Sequence, residues 1–314
     1  MERTPVLYEL IDMNKPQAVL AEIKVIASMI CTMDDFGVIN DVSRDVLRLF
    51  TGRYPGYRKN DTGYHDLYHT TDVMLASVRL LHGAATTGVA FTAGEINQLL
   101  LCAMMHDTGY IQRDTDPRGT GARYTAIHIE RSIDFVAEYL KTHRDIDADG
   151  ETMAQILRCT GLNVKIRDIP FKSEKTRLLG FVLGTADLLG QMADRYYLEK
   201  LPILFREFQE GNIPGFASDY DLIRKTPDFY IMASIRFKNE LGGVNRFMKN
   251  HFQVRWSIPR DLYAAAIEKN IEYLNRIIES GQDYRQKFKR KCLFQDRFDK
   301  TEIDLAEGLQ GSNE

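Results

Sequence analysis

Two histidines four residues apart mark the segment richest in chemistry, Tyr64-His65-Asp66-Leu67-Tyr68-His69-Thr70-Thr71-Asp72-Val73. On a helix that spacing sets both imidazoles on one face, with Cβ atoms about 6 Å apart, so they can share a site. The pair can serve as two metal ligands or as one ligand and one proton donor. Taken alone, it is equally compatible with two half-buried histidines that bind nothing. A second segment, Met104-Met105-His106-Asp107-Thr108-Gly109, ends an apolar helical run in His-Asp, and Gly109 reads as the left-handed cap that closes the helix. Adjacent side chains normally diverge around a helix, but at the last turn both can converge on one ion. The third segment, Gly184-Thr185-Ala186-Asp187-Leu188-Leu189-Gly190, sets Asp187 in a run that is otherwise apolar. A buried carboxylate without a partner is costly or takes up a proton, so a cation must face it. An arginine and a divalent metal both answer that need. Two histidines and two carboxylates make a mixed donor set that suits zinc, iron or manganese, with oxygen-rich outer positions open to magnesium.

These residues need rigid elements to bring them together, and the hydrophobic pattern says which. Apolar residues recur every three or four positions, as in Ile96, Leu99, Leu100, Ala103 and Met104, then Ile129, Ile133, Val136 and Leu140. Strand-like alternation is scarce, and even Asp149-Gly150 leads into the helical pattern from Thr152 to Cys159. The fold class is therefore all-α, a multi-helix domain with the candidate site at helix ends. Breaks rich in glycine or proline fall near residues 52–63, 83–94, 115–121, 161–170, 211–215, 242–243 and 258–259.

With these residues in hand, the sequence resembles the HD superfamily of metal-dependent phosphohydrolases, and most of all the catalytic domain of class I cyclic-nucleotide phosphodiesterases. Tyr64, His65, His69, Asp72 and Val73 fall on that family's Tyr-His-Asn-x-x-His-x-x-Asp-Val segment. Phe91-Thr92-Ala93-Gly94-Glu95-Ile96 falls on its Phe-Thr-x-x-Glu-Ile segment, at the family's distance from His106-Asp107, and Ala186-Asp187-Leu188 on its later ligand segment. The similarity covers roughly residues 45–280, so residues 1–285 are expected to form one body with the first 45 adding helices to it. The resemblance implies that His69, His106, Asp107 and Asp187 bind the tighter metal, that Asp107 reaches a second ion (magnesium or manganese) through its other oxygen, and that His65 is the general acid. It also implies a small phosphorylated substrate, a nucleotide for choice, with Tyr64, His128 and Tyr230 as candidate contacts. Three departures bear on this. Gly109 and Tyr110 stand where the family places an acidic residue and a histidine around the second ion, which predicts a weak or absent second ion. Thr125-Ala126-Ile127-His128 replaces a Glu-Asn-His-His segment, so a glutamate near the reacting water has no counterpart. The glutamine that reads the purine would fall near Thr226 to Tyr230, where there is none.

Composition limits the alternatives. The 314 residues are 44% apolar, enough for a sizeable core, and 41 basic against 44 acidic residues leave a formal charge of −3. No global field draws such a chain to nucleic acid or a membrane, and Lys172, Lys175 and Arg177 read as an ordinary solvated face. Cys31, Cys102, Cys159 and Cys292 show no paired spacing and read as reduced thiols. With no apolar leader after Met1 and no apolar stretch of membrane length, the expectation is a cytoplasmic protein without nucleic-acid or membrane partners. Residues 286–314, charged and then small and polar, are expected to form a loosely held tail.

Overall fold

Thirteen α-helices follow one another in the computed structural model, which describes residues 5–33 and 36–288. They are α1 (Leu7–Leu10), α2 (Pro16–Ile30), α3 (Gly37–Phe50), α4 (Leu67–Ala85), α5 (Ala93–Met105), α6 (His128–Thr142), α7 (Gly150–Leu157), α8 (Glu174–Ala193), α9 (Tyr197–Glu210), α10 (Asp219–Asn239), α11 (Phe247–Trp256), α12 (Leu262–Ser280) and α13 (Tyr284–Lys287). Among the described residues the one trace of β-structure is an isolated antiparallel bridge between Tyr57 and Arg113. None of the described helices is long and apolar enough to cross a membrane.

The starts of these helices are written in capping residues. Asp66, Thr92, Asp149, Ser173, Ser218 and Asp261 each sit just before a helix and accept a backbone N–H of its first turn, an interaction typically worth about 1 kcal/mol. At α5 the cap is reciprocal: Thr92 accepts from the Glu95 N–H while the Glu95 carboxylate accepts from the Thr92 N–H. The Phe-Thr-x-x-Glu-Ile motif is thus, at least in part, a helix-start signal.

Every residue from Tyr68 to Ala84 is buried, so α4 runs through the middle of the molecule rather than along its surface. It packs on α2, α5, α8 and α11, and Val73, Leu75, Leu80 and Leu81 are fully enclosed, each contributing about 1.5–3 kcal/mol by leaving water. α11 comes so close that a Cβ on Gly83 would lie 1.9 Å from the Phe247 carbonyl oxygen, which reserves that position for glycine. Of the first 45 residues, α2 packs on α4 and α3 on α5. At the other end, Gln286 and Lys287 belong to α13 and Phe288 is buried, so the ordered body reaches further than the tail boundary expected from sequence. Residues 289–314 of that expected tail lie outside the described residues, as does Cys292; Cys31, Cys102 and Cys159 are free thiols.

Candidate metal centre

α4 does not begin at His65. Asp66 caps it, taking extended backbone and accepting the His69 N–H at 2.8 Å, and buried Lys200 holds the Asp66 carboxylate from α9 at 3.2 Å. The expectation that His65 and His69 share a helix face is therefore corrected: the cap falls between them, and His65 stands in the bend before the helix. The rings still meet, with centroids 6.2 Å apart and planes at 82°.

His106 and Asp107 follow the last residue of α5, at the helix's negative end, where a cation is favoured. His106 keeps helical angles, but Asp107 leaves them (φ −107°, ψ 8°), which turns the neighbouring side chains to one side. Gly109 is not the left-handed cap expected from sequence. Its φ is not among the positive ones, and Thr108–Tyr110 form a single 3₁₀ turn. The glycine is needed because a Cβ there would lie 1.9 Å from the His128 carbonyl oxygen and 2.9 Å from the Arg131 Cβ. That close approach seats the start of α6 against the centre. Ser132 fixes it by accepting from the Gly109 N–H (2.9 Å) and donating to the His106 carbonyl (2.6 Å), and Arg131 by donating to the Gly109 carbonyl (2.8 Å).

His69, His106 and Asp107 are buried together, with donor atoms mutually within 4.8 Å, and could hold a metal ion. The two Nε2 atoms are 3.3 Å apart. Asp107 Oδ2 is 3.5 Å from His69 Nε2 and 3.1 Å from His106 Nε2. Asp187, which α8 carries to the more open rim, sets its Oδ1 3.1 Å from His69 Nε2 and 3.8 Å from His106 Nε2. Ligands held about 2.1 Å from one ion stand about 3.0 Å apart in octahedral and about 3.4 Å apart in tetrahedral arrangement. All five separations fall on or near that range. Moreover, Asp107 Oδ2 is buried and accepts no well-directed hydrogen bond, although two ring nitrogens stand within 3.5 Å. His106 Nδ1 lies 2.8 Å from the Ala103 carbonyl and must donate to it, which leaves the Nε2 lone pair facing the cluster.

The electrostatics agree with an appetite for positive charge. Burial pulls the His106 imidazole down, but the negative charges of Asp107 and Asp187 close beside it outweigh this and push it up to about 9. Burial would raise the Asp107 carboxyl; His106, with help from His65 and His69, instead holds it well below the usual carboxylate range. Without an ion, the cluster takes its positive charge as a proton.

His65 stands beside this cluster in a fitted cage. Its Nδ1 is 2.7 Å from Glu207 Oε2, and Glu207 Oε1 accepts the Tyr64 N–H at 2.7 Å. Burial lowers the His65 imidazole, but the Glu207 charge and hydrogen bond reverse this and leave it raised. Tyr110 stacks on His65 at 4.2 Å and on His128 at 4.5 Å, one ring clamped between two imidazoles. His128 faces the far side of Asp107, its Nε2 3.9 Å from Oδ1, and burial lowers its imidazole. Tyr64 packs edge-on to His65, and its buried hydroxyl has no hydrogen-bond partner. Tyr230 is not drawn into the cluster in the same way: it is half-buried on α10, which packs on α9 and α12, and joins the flank of the core.

Sequence reasoning did not find Glu207. Its signal was present, since Glu207 occurs at apolar-face spacing from Leu204 on α9 and is buried, the same anomaly that singled out Asp187. Tyr110, read as the loss of a polar group, supplies the spacer between two histidines. A sequence profile of the family described as Npun_R2479-like matches residues 113–244, which include His128, Asp187 and Glu207 but begin after the His106-Asp107 pair. Comparison with curated proteins gives no match.

Proposed function

We propose that the chain is a metal-dependent phosphohydrolase of the HD type, built like the catalytic domain of class I cyclic-nucleotide phosphodiesterases, and that it cleaves a small phosphoester. The observation that carries the reading is the set of five donor separations among His69, His106, Asp107 and Asp187, between 3.1 and 3.8 Å, the spacing of ligands around one divalent ion. Bound there, zinc, manganese or iron would acidify a coordinated water and neutralise phosphate charge. The protein's own groups do the rest. His65, held by Glu207 through Nδ1, presents Nε2 as the donor of a proton to the leaving alkoxide. The Glu207 charge favours the protonated form of that imidazole. The buried Tyr64 hydroxyl, without a hydrogen-bond partner, is a candidate donor to a phosphate oxygen.

A cyclic nucleotide is the first substrate to test. A second reading, hydrolysis of another nucleotide or of a phosphomonoester, is favoured by the absence of glutamine from Thr226 to Tyr230 and by the place of Tyr230 on the core flank. The experiment is metal analysis of the purified protein, followed by product assays on cyclic nucleotides, nucleoside mono- and triphosphates and nitrophenyl phosphate esters with manganese, magnesium or zinc. Turnover that disappears in Asp187→Ala supports the reading. A loaded protein that binds nucleotides without hydrolysing any substrate class would instead make it a metal- or nucleotide-binding regulator.

A further inference from the structure

We propose that Lys200 is a positioning residue of the metal centre: its enclosed ammonium joins the start of α4 to the end of α8 and so sets the distance between His69 and Asp187. The inference rests on the metal centre proposed above, but not on the reaction assigned to it.

Three observations carry it. First, Lys200 Nζ lies 3.2 Å from Asp66 Oδ2 and 3.5 Å from Asp194 Oδ2, in a triad whose three side chains are each at most 9% exposed. A desolvated ammonium is held by opposite charges in good geometry, and removing it leaves them uncompensated. Second, the two carboxylates end different helices. Asp66 caps the start of α4, three residues before His69, and Asp194 caps the end of α8, seven residues after Asp187. Seven residues are close to two helical turns, so Asp187 and Asp194 lie on one side of α8, about 10 Å apart along its axis. Third, each carboxylate is tied to backbone through its other oxygen: Asp66 Oδ1 accepts the His69 N–H at 2.8 Å, and Asp194 Oδ1 accepts the Tyr196 N–H at 2.9 Å. Asn270 of α12 steadies the same end of α8 by donating to the carbonyls of Met192 and Asp194 at 3.0 and 3.1 Å. A pull on either carboxylate therefore moves a helix end rather than a loose side chain. Through these two ends the lysine on α9 acts on the helices that carry His69 and Asp187, whose Nε2 and Oδ1 stand 3.1 Å apart. Ligand sets keep their function only within about 0.5 Å of the productive geometry, so a small slip of α8 against α4 is enough to spoil the site.

Zinc titration of the full chain tests this, together with cobalt(II) absorption spectra, melting curves in chelator and phosphoester hydrolysis. Lys200→Met keeps much of the stem and removes the charge. It should bind zinc about 10- to 100-fold more weakly than the wild type, with an altered cobalt spectrum, and melt about 5 °C lower because buried carboxylates lose this cation. The double variant Asp66→Asn with Lys200→Met separates positioning from charge balance. Asparagine still caps α4 by accepting the His69 N–H and brings no charge, so Tm should recover much of its loss while zinc affinity stays low. Arg255→Met is the control: it breaks an ion pair with buried Glu22 between α11 and α2, and should lower Tm with zinc affinity unchanged. Unchanged zinc affinity in Lys200→Met, recovery of affinity together with Tm in the double variant, or an equal loss of affinity in Arg255→Met would overturn the proposal. A double variant that cannot fold would overturn it too, since Lys200 would then serve the fold alone. Zinc binding without hydrolysis, weakened in Lys200→Met, would leave the proposal standing and remove the hydrolase reading; hydrolysis with wild-type zinc affinity in that variant would do the reverse. A wild type that binds no zinc would remove both.

Discussion

Gly109→Ala is the smallest change that reaches the centre without touching a candidate ligand. The added methyl would start 1.9 Å from the His128 carbonyl oxygen, whereas Cβ atoms essentially never come within 3.0 Å of another heavy atom. The start of α6 must therefore retreat by at least about 1.1 Å. That retreat cannot be local, because Ser132 and Arg131 on the same helix hold the Gly109 N–H, the Gly109 carbonyl and the His106 carbonyl at 2.6–2.9 Å. Overpacking costs about 1–3 kcal/mol, and stretching two or three hydrogen bonds adds about 1 kcal/mol. A loss of about 2–4 kcal/mol corresponds to a fall of about 3–6 °C in Tm for a chain of this size. Gly94→Ala is the control: it sits in the first turn of α5, its Cβ would meet nothing closer than 3.9 Å, and it should be neutral or stabilising by up to about 1 kcal/mol. Calorimetry of both variants, in chelator and then with manganese, measures the difference. Should Gly109→Ala melt within about 1 °C of the wild type, the packing argument at the α5–α6 junction is wrong.

The other predictions concern function. His65→Ala should retain its metal and lose about 10²- to 10⁴-fold in rate on alkoxide esters, but much less on nitrophenyl esters, whose leaving group needs little protonation; equal losses on both, or loss of metal, would remove His65 as the acid. Glu207→Gln keeps an acceptor for the Tyr64 N–H but removes the charge beside His65, so kcat should fall about tenfold or more, with the basic limb of the pH–rate profile moving to lower pH. An unmoved limb would show that Glu207 does not hold the His65 proton. Metal binding should be proton-linked: in the ion-free protein His106 is pushed up from 6.5 to about 9, so its proton stabilises the ion-free fold fully below about pH 6.5 and that stability is lost as pH rises through about 9. An ion must displace this proton. Apparent affinity should therefore climb about tenfold per pH unit between those limits and then level off, with calorimetry in buffers of different ionisation enthalpy reporting about one proton released near pH 7.5. An affinity independent of pH across that window would contradict the charge balance assigned to His106 and Asp107.

The parts of the centre legible in the sequence are those where a residue type conflicts with its surroundings. Asp187 in an apolar run and His106-Asp107 at the end of an apolar helix are such conflicts, and the structure places both beside His69. The all-α class followed from periodicity because nearly every helix here pays for its burial with an apolar face of ordinary spacing. What could not be read was geometry set by distant contacts. The helix start at Asp66 separates His65 from His69, and although aspartate is a common cap, the register between two histidines gave the more conspicuous pattern. Gly109 carried two meanings in sequence, a left-handed turn or a close approach, and the choice depends on α6, which lies about 20 residues away and is invisible to local reasoning.

Glu207 and Tyr110 show what kind of information is missing. Each acts on His65 from a different element, Glu207 at its Nδ1 edge from α9 and Tyr110 at its face from the turn after α5. Neither has a local pattern that names its target. A histidine near a metal can be a ligand, an acid or an idle base, and its neighbours determine which. The Nδ1 partner fixes which nitrogen bears the proton and where the other one points. By that criterion His65 and His128 part company although Tyr110 stacks on both. His65 meets a carboxylate, which favours a charged ring able to give up a proton, whereas His128 meets a backbone carbonyl, which favours a neutral ring with its lone pair directed at Asp107. The difference between the two rings is thus set by what lies behind each, a carboxylate at His65 and a backbone carbonyl at His128, and exchanging the two supports should exchange which ring favours the charged form.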